Sequence, residues 1–282
     1  MCDGHRWRGT LRGRAPSGAG AGIGASTGAR KGARKEEGDV RSERRSDELR
    51  PLSVTCGVVR NADGSALIRM GETHVVCTAK LVAGVPQWLR GSKRGWLTAE
   101  YSMLPAATTT RTPREAVQGR QSGRTMEIQR LIGRSLRAVT DLASLGERTV
   151  YVDCDVLQAD GSTRTAAISG AYVALYLALA KLARAERMPD LPLFDSVAAV
   201  SVGVVDGRVL LDLDYEEDLT AAVDMNTVIT GSGKLIEVQA TAEGEPFERE
   251  TFERLMDLAV RGCAAVGAEQ MRVALEATRD LP

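Results

Sequence analysis

Two stretches of the sequence place an arginine at the start of a predicted helix, within three residues of a glycine. Asp160-Gly-Ser-Thr-Arg164 leads from a predicted strand into the uncharged run 165–180, and Ser122-Gly-Arg124 leads into a second run with apolar residues at helical spacing. A helix N-terminus carries partial positive charge, and the planar guanidinium binds phosphate well, so each stretch predicts a phosphate site. Ser162 and Thr163 could also cap free N–H groups. For Arg164, the alternative is an ordinary capped helix with the arginine in water.

A cluster of carboxylates follows in the second half of the chain. Its members are Asp212, Asp214, Asp218 and Asp224. Oxygen ligands of this kind suit Mg²⁺ or Mn²⁺, which bind few protein carboxylates and keep waters for substrate phosphates. The alternative is a solvated acidic loop. Asp218 and Asp224 beside two phosphate sites favour a metal and predict phosphoryl transfer.

The charge is neutral overall but unevenly distributed. Residues 86–137 contain ten basic and three acidic residues, whereas residues 206–257 contain fourteen acidic and four basic ones. The first segment, which includes Arg111 and Arg114, could bind a polyanion. Only two histidines are present, so histidine catalysis is disfavoured, and five scattered cysteines without a CxxC pair predict a reducing compartment, the cytoplasm.

The elements that must position these residues form a mixed pattern. Strands are predicted at 54–60, 66–70, 73–81, 149–157, 197–205, 208–213, 226–230 and 234–241, and helices at 122–145, 165–180 and 247–277. The segment 85–123 has no regular pattern and is expected to be a long basic connection. The fold class is therefore α+β: mixed sheets with helices packed on one face, in two similar halves of strands followed by helix. The run 165–180 is too short for a bilayer and predicts a buried core helix rather than a membrane contact.

The domain organisation is predicted to be a tail at 1–40 followed by one catalytic domain at 41–282. The tail is rich in Gly, Ala, Ser and Arg, with eight basic and four acidic residues and no apolar period. A disordered tail, a targeting peptide and a start codon assigned too far upstream are the three explanations.

Longer motifs resemble the bacterial ribonuclease PH family from about residue 41 to residue 270. The motifs that carry the resemblance are Asp47-Glu-Leu-Arg-Pro51, Gly95-Trp-Leu-Thr-Ala-Glu-Tyr101, Ser122-Gly-Arg-Thr125, the run 127–137, the run 153–161 and Asp224-Met-Asn226. The resemblance implies a tRNA nucleotidyltransferase: inorganic phosphate attacks the 3′-terminal phosphodiester of a transfer RNA precursor and a nucleoside diphosphate leaves. It also implies a homo-hexameric ring, a trimer of dimers.

The resemblance assigns roles to individual positions. Arg124 matches the family's phosphate-binding arginine, and Ser162, Thr163 and Arg164 match its second phosphate-binding loop. Asp218 and Asp224 match the aspartates that serve catalysis and metal binding, and the segment with Arg111 and Arg114 matches the loop that guides RNA.

Some positions depart from the family pattern. Ser162 replaces a usual glycine, where a positive φ would cost about 1 kcal/mol, and Ala106 replaces a frequent arginine. Two other functions compete with the phosphorolytic one: a non-catalytic RNA-binding subunit of an exosome-like ring, and a metal-dependent hydrolase that uses water. The hydrolase is disfavoured because it needs one anion site rather than two, and an inactive subunit would be free to lose an aspartate or an arginine.

Overall fold

The computed structural model describes Arg41 and residues 44–279. These residues belong to one compact unit, 39–282. The predicted tail at 1–40 lies outside the described residues.

Nine strands form two sheets in the described part of the chain. The first sheet contains β1 (Leu52–Cys56), β2 (Gly64–Met70), β3 (Thr73–Ala83), β4 (Trp96–Met103) and β5 (Arg148–Gln158), in the order β1-β2-β3-β5-β4. The second contains β6 (Val197–Val205), β7 (Arg208–Leu211), β8 (Val223–Thr230) and β9 (Leu235–Ala242), in the order β7-β6-β8-β9. Every pairing is antiparallel except that of β4 with β5.

Five α-helices complete the described fold. They are α1 (Glu115–Gln118), α2 (Gly123–Val139), α3 (Thr163–Ala185), α4 (Tyr215–Thr220) and α5 (Arg249–Thr278). Helix α3 packs against β2 and β3 of the first sheet and against β6 of the second, so it lies between the sheets. The predicted α+β class, with helices against one face of each sheet, is confirmed.

Helix α3 is the centre of the hydrophobic core. By length and composition it could span a membrane, yet 83% of its most apolar window is buried inside the fold. Gly170 allows its close approach to the first sheet, because an added Cβ would lie 2.7 Å from Ile68 Cγ2 and 2.8 Å from Cys77 Sγ. The prediction of a buried core helix is therefore confirmed.

The β6–β7 hairpin forms across Asp206 and Gly207, where the sequence predicts a turn. Asp206 and Gly207 both have positive φ, 47° and 76°, as a two-residue type I′ turn requires. The second hairpin, β8–β9, also forms where the sequence predicts it.

Three predicted elements differ from the structure. Helix α2 ends at Val139 rather than near residue 145, because Asp141 forms a turn in which its Oδ1 accepts hydrogen bonds from the Ala143 and Ser144 amides. Strand β1 begins and ends earlier than 54–60. The segment 85–123 contains β4, whose parallel partner β5 begins 45 residues after β4 ends; local patterning does not show such a pairing.

Candidate active site

The start of α2 places Arg124 at the surface of the candidate site. Ser122 is the N-cap residue, and its Oγ accepts a hydrogen bond from the Thr125 amide at 3.1 Å. The Thr125 hydroxyl in turn donates to Glu115 of α1 at 2.8 Å. Arg124 is exposed in the first turn of α2, as the sequence predicts.

The start of α3 is a tight loop with two consecutive positive φ angles. Gly161 has φ 70° and Ser162 has φ 55°. Only glycine fits at 161, because an added Cβ would lie 2.6 Å from the Leu213 carbonyl oxygen. The expected strain at Ser162 is therefore present.

Ser162 does not cap α3, contrary to the prediction. Its Oγ donates to the Leu213 carbonyl at 3.0 Å and lies 2.6 Å from Ser201 Oγ, so the hydroxyl points into the fold because of its left-handed backbone. The Thr163 hydroxyl accepts a hydrogen bond from the buried Tyr101 hydroxyl at 2.9 Å. No side chain caps the helix at Ser162, which leaves the first-turn N–H groups of α3 without a capping side chain, an arrangement that suits an anion.

Arg164 is held by two residues from other elements. Its Nη1 lies 2.7 Å from Gln239 Oε1 in β9 and 3.4 Å from Glu127 Oε1 in α2. Gln239 Nε2 also donates to Glu127 at 3.2 Å. The guanidinium is thus oriented by an amide and a carboxylate.

Asp218 lies in α4 and Asp224 lies in β8. Partial desolvation raises the pKa of Asp218, while the nearby charges of Arg124 and Arg164 lower it. Burial and the negative charge of Asp218 raise the pKa of Asp224 to about 6. The structure therefore brings both carboxylates and both arginines into one electrostatic cluster.

Asn226 belongs to the same cluster. It is two residues after Asp224 on the same face of β8, and its Nδ2 lies 3.3 and 3.1 Å from the two carboxylate oxygens of Asp224. These hydrogen bonds stabilise the charged form of Asp224 and fix the orientation of its carboxylate.

Asp212 and Asp214 do not belong to the predicted oxygen-rich metal site. Asp212 is fully buried and accepts hydrogen bonds from Arg50, and Asp214 is the N-cap of α4 in a capping box with Glu217. The positive charge that balances Asp212 comes from Arg44 and Arg50, which are distant in sequence.

Of the four carboxylates that the sequence singles out, Asp218 and Asp224 remain as candidate cation ligands. The described part of the chain contains no group of three or more His, Cys, Asp or Glu side chains that could hold a metal. Two neighbouring carboxylates with raised pKa values still fit Mg²⁺ or Mn²⁺, which take few protein ligands and complete their shell with water and substrate phosphate.

A cavity of about 910 Å³ adjoins the Arg124 side of the cluster. Its lining combines the basic residues Arg114, Arg120 and Arg124 with the acidic residues Glu100, Glu115, Asp153 and Asp155. Arg114 is near enough to Asp155 to lower a pKa that burial and Asp153 raise. Arg111 is exposed and does not line this cavity, so the structure joins Arg114 to the site and leaves Arg111 outside it.

Sequence reasoning missed three residues that contact the predicted ones: Tyr101, Glu127 and Gln239. Tyr101 is buried, and its pKa is raised by burial and lowered by Thr163 and by the charges of Arg124 and Arg164. Tyr101 and Glu127 lie inside motifs of the resemblance, which was the available signal. Gln239 gives no local signal, because only the pairing of β8 with β9 brings it to the site.

Comparison with known proteins assigns the chain to a family. Residues 48–180 match the sequence model described as the 3′ exoribonuclease family, domain 1, and residues 195–262 match domain 2 of the same family. The chain belongs to the 3′ exoribonuclease family. The two matches together cover the phosphate-loop residues and both aspartates.

Curated relatives place the chain within the family more closely. It is 59% identical over 228 residues to the ribonuclease PH of Mycobacterium ulcerans (strain Agy99), which covers 80% of this chain and 88% of the relative. It is 57% identical over 235 residues to the ribonuclease PH of Mycobacterium sp. (strain KMS), covering 83% and 90%. The resemblance to bacterial ribonuclease PH, and with it the expected class of phosphate-dependent 3′ exoribonuclease, is confirmed.

Solved structures agree on the fold. Rice (Oryza sativa) Rrp46 has a TM-score of 0.67 at 19% identity, covering 82% of this chain and 98% of that one. The Archaeoglobus fulgidus exosome with RNA bound to its active site has a TM-score of 0.65 at 24% identity, covering 79% and 89%. At these identities the likeness extends to the fold alone.

Proposed function

We propose that the chain trims extra 3′ nucleotides from transfer RNA precursors at the cluster of Arg124, Arg164, Asp218 and Asp224. Inorganic phosphate binds between the starts of α2 and α3, held by Arg124, the Arg164 guanidinium and the N–H groups of Ser162 and Thr163. One phosphate oxygen attacks the phosphorus of the terminal phosphodiester. The O3′ of the penultimate nucleotide leaves with a proton, and a nucleoside diphosphate is released.

The observation that carries this proposal is the position of Asp218. Arg124 and Arg164 come from two separate helix N-termini, and the positive charge of each lowers the pKa of this carboxylate against the effect of its burial. Two guanidinium groups of this kind can position an incoming phosphate and the scissile phosphodiester together, and positioning with charge neutralisation supplies most of the catalysis in phosphoryl transfer.

Asp218 and Asp224 are the residues that would hold a divalent cation, Mg²⁺ or Mn²⁺. Burial and the negative charge of Asp218 raise the pKa of Asp224, and a divalent cation held by these carboxylates would relieve their repulsion. When bound, it supplies charge neutralisation for the phosphate oxygens. Asn226 orients Asp224, and Arg164 remains fixed by Gln239 and Glu127.

Arg111 and Arg114 bind the RNA body rather than the reacting end. Both are exposed, and Arg114 lines the cavity beside Arg124, which supports a path for the backbone toward the site. In a homo-hexamer, a trimer of dimers, several copies of this segment would surround one opening. The four cysteines in the described part of the chain are free thiols, which supports a cytoplasmic location.

The non-catalytic ring subunit remains the second candidate, because one of the solved structures named above is an exosome. The full cluster of two arginines and two aspartates in one site favours the enzyme. The test incubates the purified chain with a transfer RNA that carries extra 3′ nucleotides, with and without phosphate, and identifies the products by mass spectrometry.

The proposal predicts nucleoside diphosphates that appear only with phosphate and are lost in Asp224→Asn. Monophosphate release without phosphate would identify a hydrolase. Binding of the RNA without any shortening would identify the non-catalytic subunit.

A further inference from the structure

The N-terminal segment contributes two buried arginines, Arg41 and Arg50, that no part of the mechanism above uses. Arg50 is 6% exposed and binds the fully buried Asp212 through three donors. Its amide and its Nε lie 2.8 and 3.0 Å from Asp212 Oδ2, and its Nη2 lies 2.6 Å from Oδ1. This bidentate ion pair joins the N-terminal segment to the end of β7.

The other side of the Arg50 guanidinium contacts the phosphate-binding loop. Its Nη1 donates to the carbonyl oxygen of Asp160 and lies 3.7 Å from the Asp160 carboxylate. Asp160 is the residue directly before Gly161 and Ser162, and its Oδ1 accepts a hydrogen bond from the Tyr215 amide at 3.2 Å. Arg50 therefore touches the loop on one side and the chain that leads to α4 on the other.

A second arginine holds α4 itself. Arg41 Nη2 donates to Glu217 Oε2 at 2.7 Å and to the Leu211 carbonyl at 2.8 Å. Glu217 is buried, completes the capping box of α4 and is adjacent to Asp218. Arg50 thus contacts the residue before the phosphate-binding loop, and Arg41 contacts the residue before Asp218.

Burial makes an ordinary stabilising role a poor explanation. Replacing a buried ion pair by apolar residues of similar volume is often neutral or stabilising, so the burial of this pair is weak evidence for a role in stability. Arg50 also satisfies a backbone carbonyl of the loop, which a lysine could not do while binding Asp212 bidentately.

We infer that Arg50 is a positioning residue for phosphate: by joining Asp212 to Asp160 it fixes the loop Gly161–Arg164 relative to the helix that carries Asp218. The inference rests on the proposed function, since it assumes that this loop binds inorganic phosphate. Thr73 supports the same loop, because its buried hydroxyl donates to the Gly161 carbonyl at 2.7 Å and accepts from the Asp160 amide at 2.9 Å.

The test measures the KM for phosphate, the KM for RNA and kcat in four variants. Arg50→Lys keeps the charge, Arg50→Met with Asp212→Leu replaces the ion pair by apolar residues, and Thr73→Val removes the loop hydroxyl at nearly constant shape.

Arg148→Lys is the control, because Arg148 also binds a carbonyl and a carboxylate, those of Leu145 and Glu186. It lies at the opposite end of β5, about 30 Å from Asp160 along an eleven-residue strand.

We expect Arg50→Lys and the apolar pair to raise the phosphate KM at least tenfold, and Thr73→Val to raise it severalfold, with an RNA KM within twofold of wild type. Arg148→Lys should leave both constants unchanged. A lower Tm with an unchanged phosphate KM in Arg50→Lys and Thr73→Val would show a merely structural role and overturn the inference. If the apolar pair fails to fold, the phosphate KM of Arg50→Lys and Thr73→Val still tests the inference.

A separate readout distinguishes failure of the inference from failure of the proposed function. The Tm rise produced by inorganic phosphate alone, without RNA, should be smaller in Arg50→Lys than in wild type. If wild type releases no diphosphate, the proposed function is wrong. An equal phosphate-induced Tm rise in the two proteins would then contradict the inference independently of turnover.

Discussion

Arg164 Nη1 lies 2.7 Å from Gln239 Oε1, which joins the first turn of α3 to the edge strand β9 of the second sheet. Gln239 is uncharged, so its amide orients the guanidinium without neutralising it. Glu127 contacts both side chains from α2. The second phosphate site therefore depends on three elements that are distant in sequence.

The first prediction concerns the two phosphate-binding arginines. Arg124→Ala and Arg164→Ala each remove a charge-assisted contact of roughly 1.5–3 kcal/mol, so the phosphate KM should rise about 10- to 150-fold. Gln239→Leu should raise it less, because the charge of Arg164 remains. Steady-state rates over a phosphate titration measure the effect, and high phosphate should recover part of the rate.

The control for these arginines is Arg130→Ala, which removes an exposed positive charge from the same helix α2. It should leave the phosphate KM within twofold of wild type. Full activity of Arg124→Ala or Arg164→Ala at low phosphate would show that the corresponding site is misassigned.

The second prediction separates stability from activity at Asp224. Its pKa is raised to about 6 by burial and by Asp218, so the folded state holds the proton more tightly than the unfolded state. Ionisation of Asp224 therefore destabilises the folded state, and the free energy of unfolding falls as pH rises from about 4 to about 6. Asp224→Asn should add about 1–3 kcal/mol at pH 7, a Tm rise of roughly 3–10 °C, and should abolish turnover.

Asp195→Asn is the matched control with the opposite sign. Burial alone would raise the pKa of Asp195, but hydrogen bonds from Ser232 and Ser196 hold it below its ordinary value. Its ionised form therefore stabilises the fold at neutral pH, and this variant should have a lower Tm with turnover retained. A Tm loss in Asp224→Asn would point to a structural role for Asp224.

The sequence predicted the charged residues of the site better than the distant residues and strands that hold them in place. Arg124 and Arg164 could be found because a helix start is a local signal of a few residues. Asp212 resembled a metal ligand because its counter-charge, Arg50, lies 162 positions away. Strand β4 was missed for a related reason: its parallel partner β5 follows a complete helix, and neither the pairing nor its register appears in the local pattern.

The third prediction concerns Ser162, whose backbone is strained and whose hydroxyl is anchored. Ser162→Ala keeps the φ of 55° and loses the contacts to Leu213 and Ser201, so it should destabilise the fold by about 1–2 kcal/mol. Ser162→Gly loses the same contacts but relieves about 1 kcal/mol of strain, so it should be less destabilised. Urea unfolding measures both.

Arg187→Gly serves as the control for strain alone, because Arg187 has φ 53° and is exposed after the end of α3. It should be neutral or slightly stabilised. If Ser162→Ala were as stable as wild type, the hydroxyl contacts would have no anchoring effect, and if it were more stable than Ser162→Gly, the positive φ would carry no strain.

The fourth prediction concerns RNA binding by the basic segment. Arg111→Ala with Arg114→Ala should weaken binding of a whole transfer RNA precursor much more than phosphorolysis of a short oligonucleotide, which cannot reach beyond the site. Each lost phosphate contact should also make the salt dependence shallower, by about 0.7–0.9 in the slope of log K against log salt. Filter binding at several salt concentrations measures this.

The control pair, Arg254→Ala with Arg261→Ala, removes two exposed arginines from α5. It carries the same change in net charge but should leave the salt dependence of precursor binding unchanged. Equal losses on long and short substrates in the Arg111 and Arg114 variant would contradict the assignment of these residues to the RNA body.

The transfer of inorganic phosphate into the product tests the central claim most directly. The purified chain is incubated with a transfer RNA that carries extra 3′ nucleotides and with ³²P-labelled inorganic phosphate. We predict that the label appears in the β-position of nucleoside diphosphates, that the RNA shortens in step with it, and that Arg124→Ala reduces both together at low phosphate. Unlabelled nucleoside monophosphates formed at the same rate without phosphate would contradict the account.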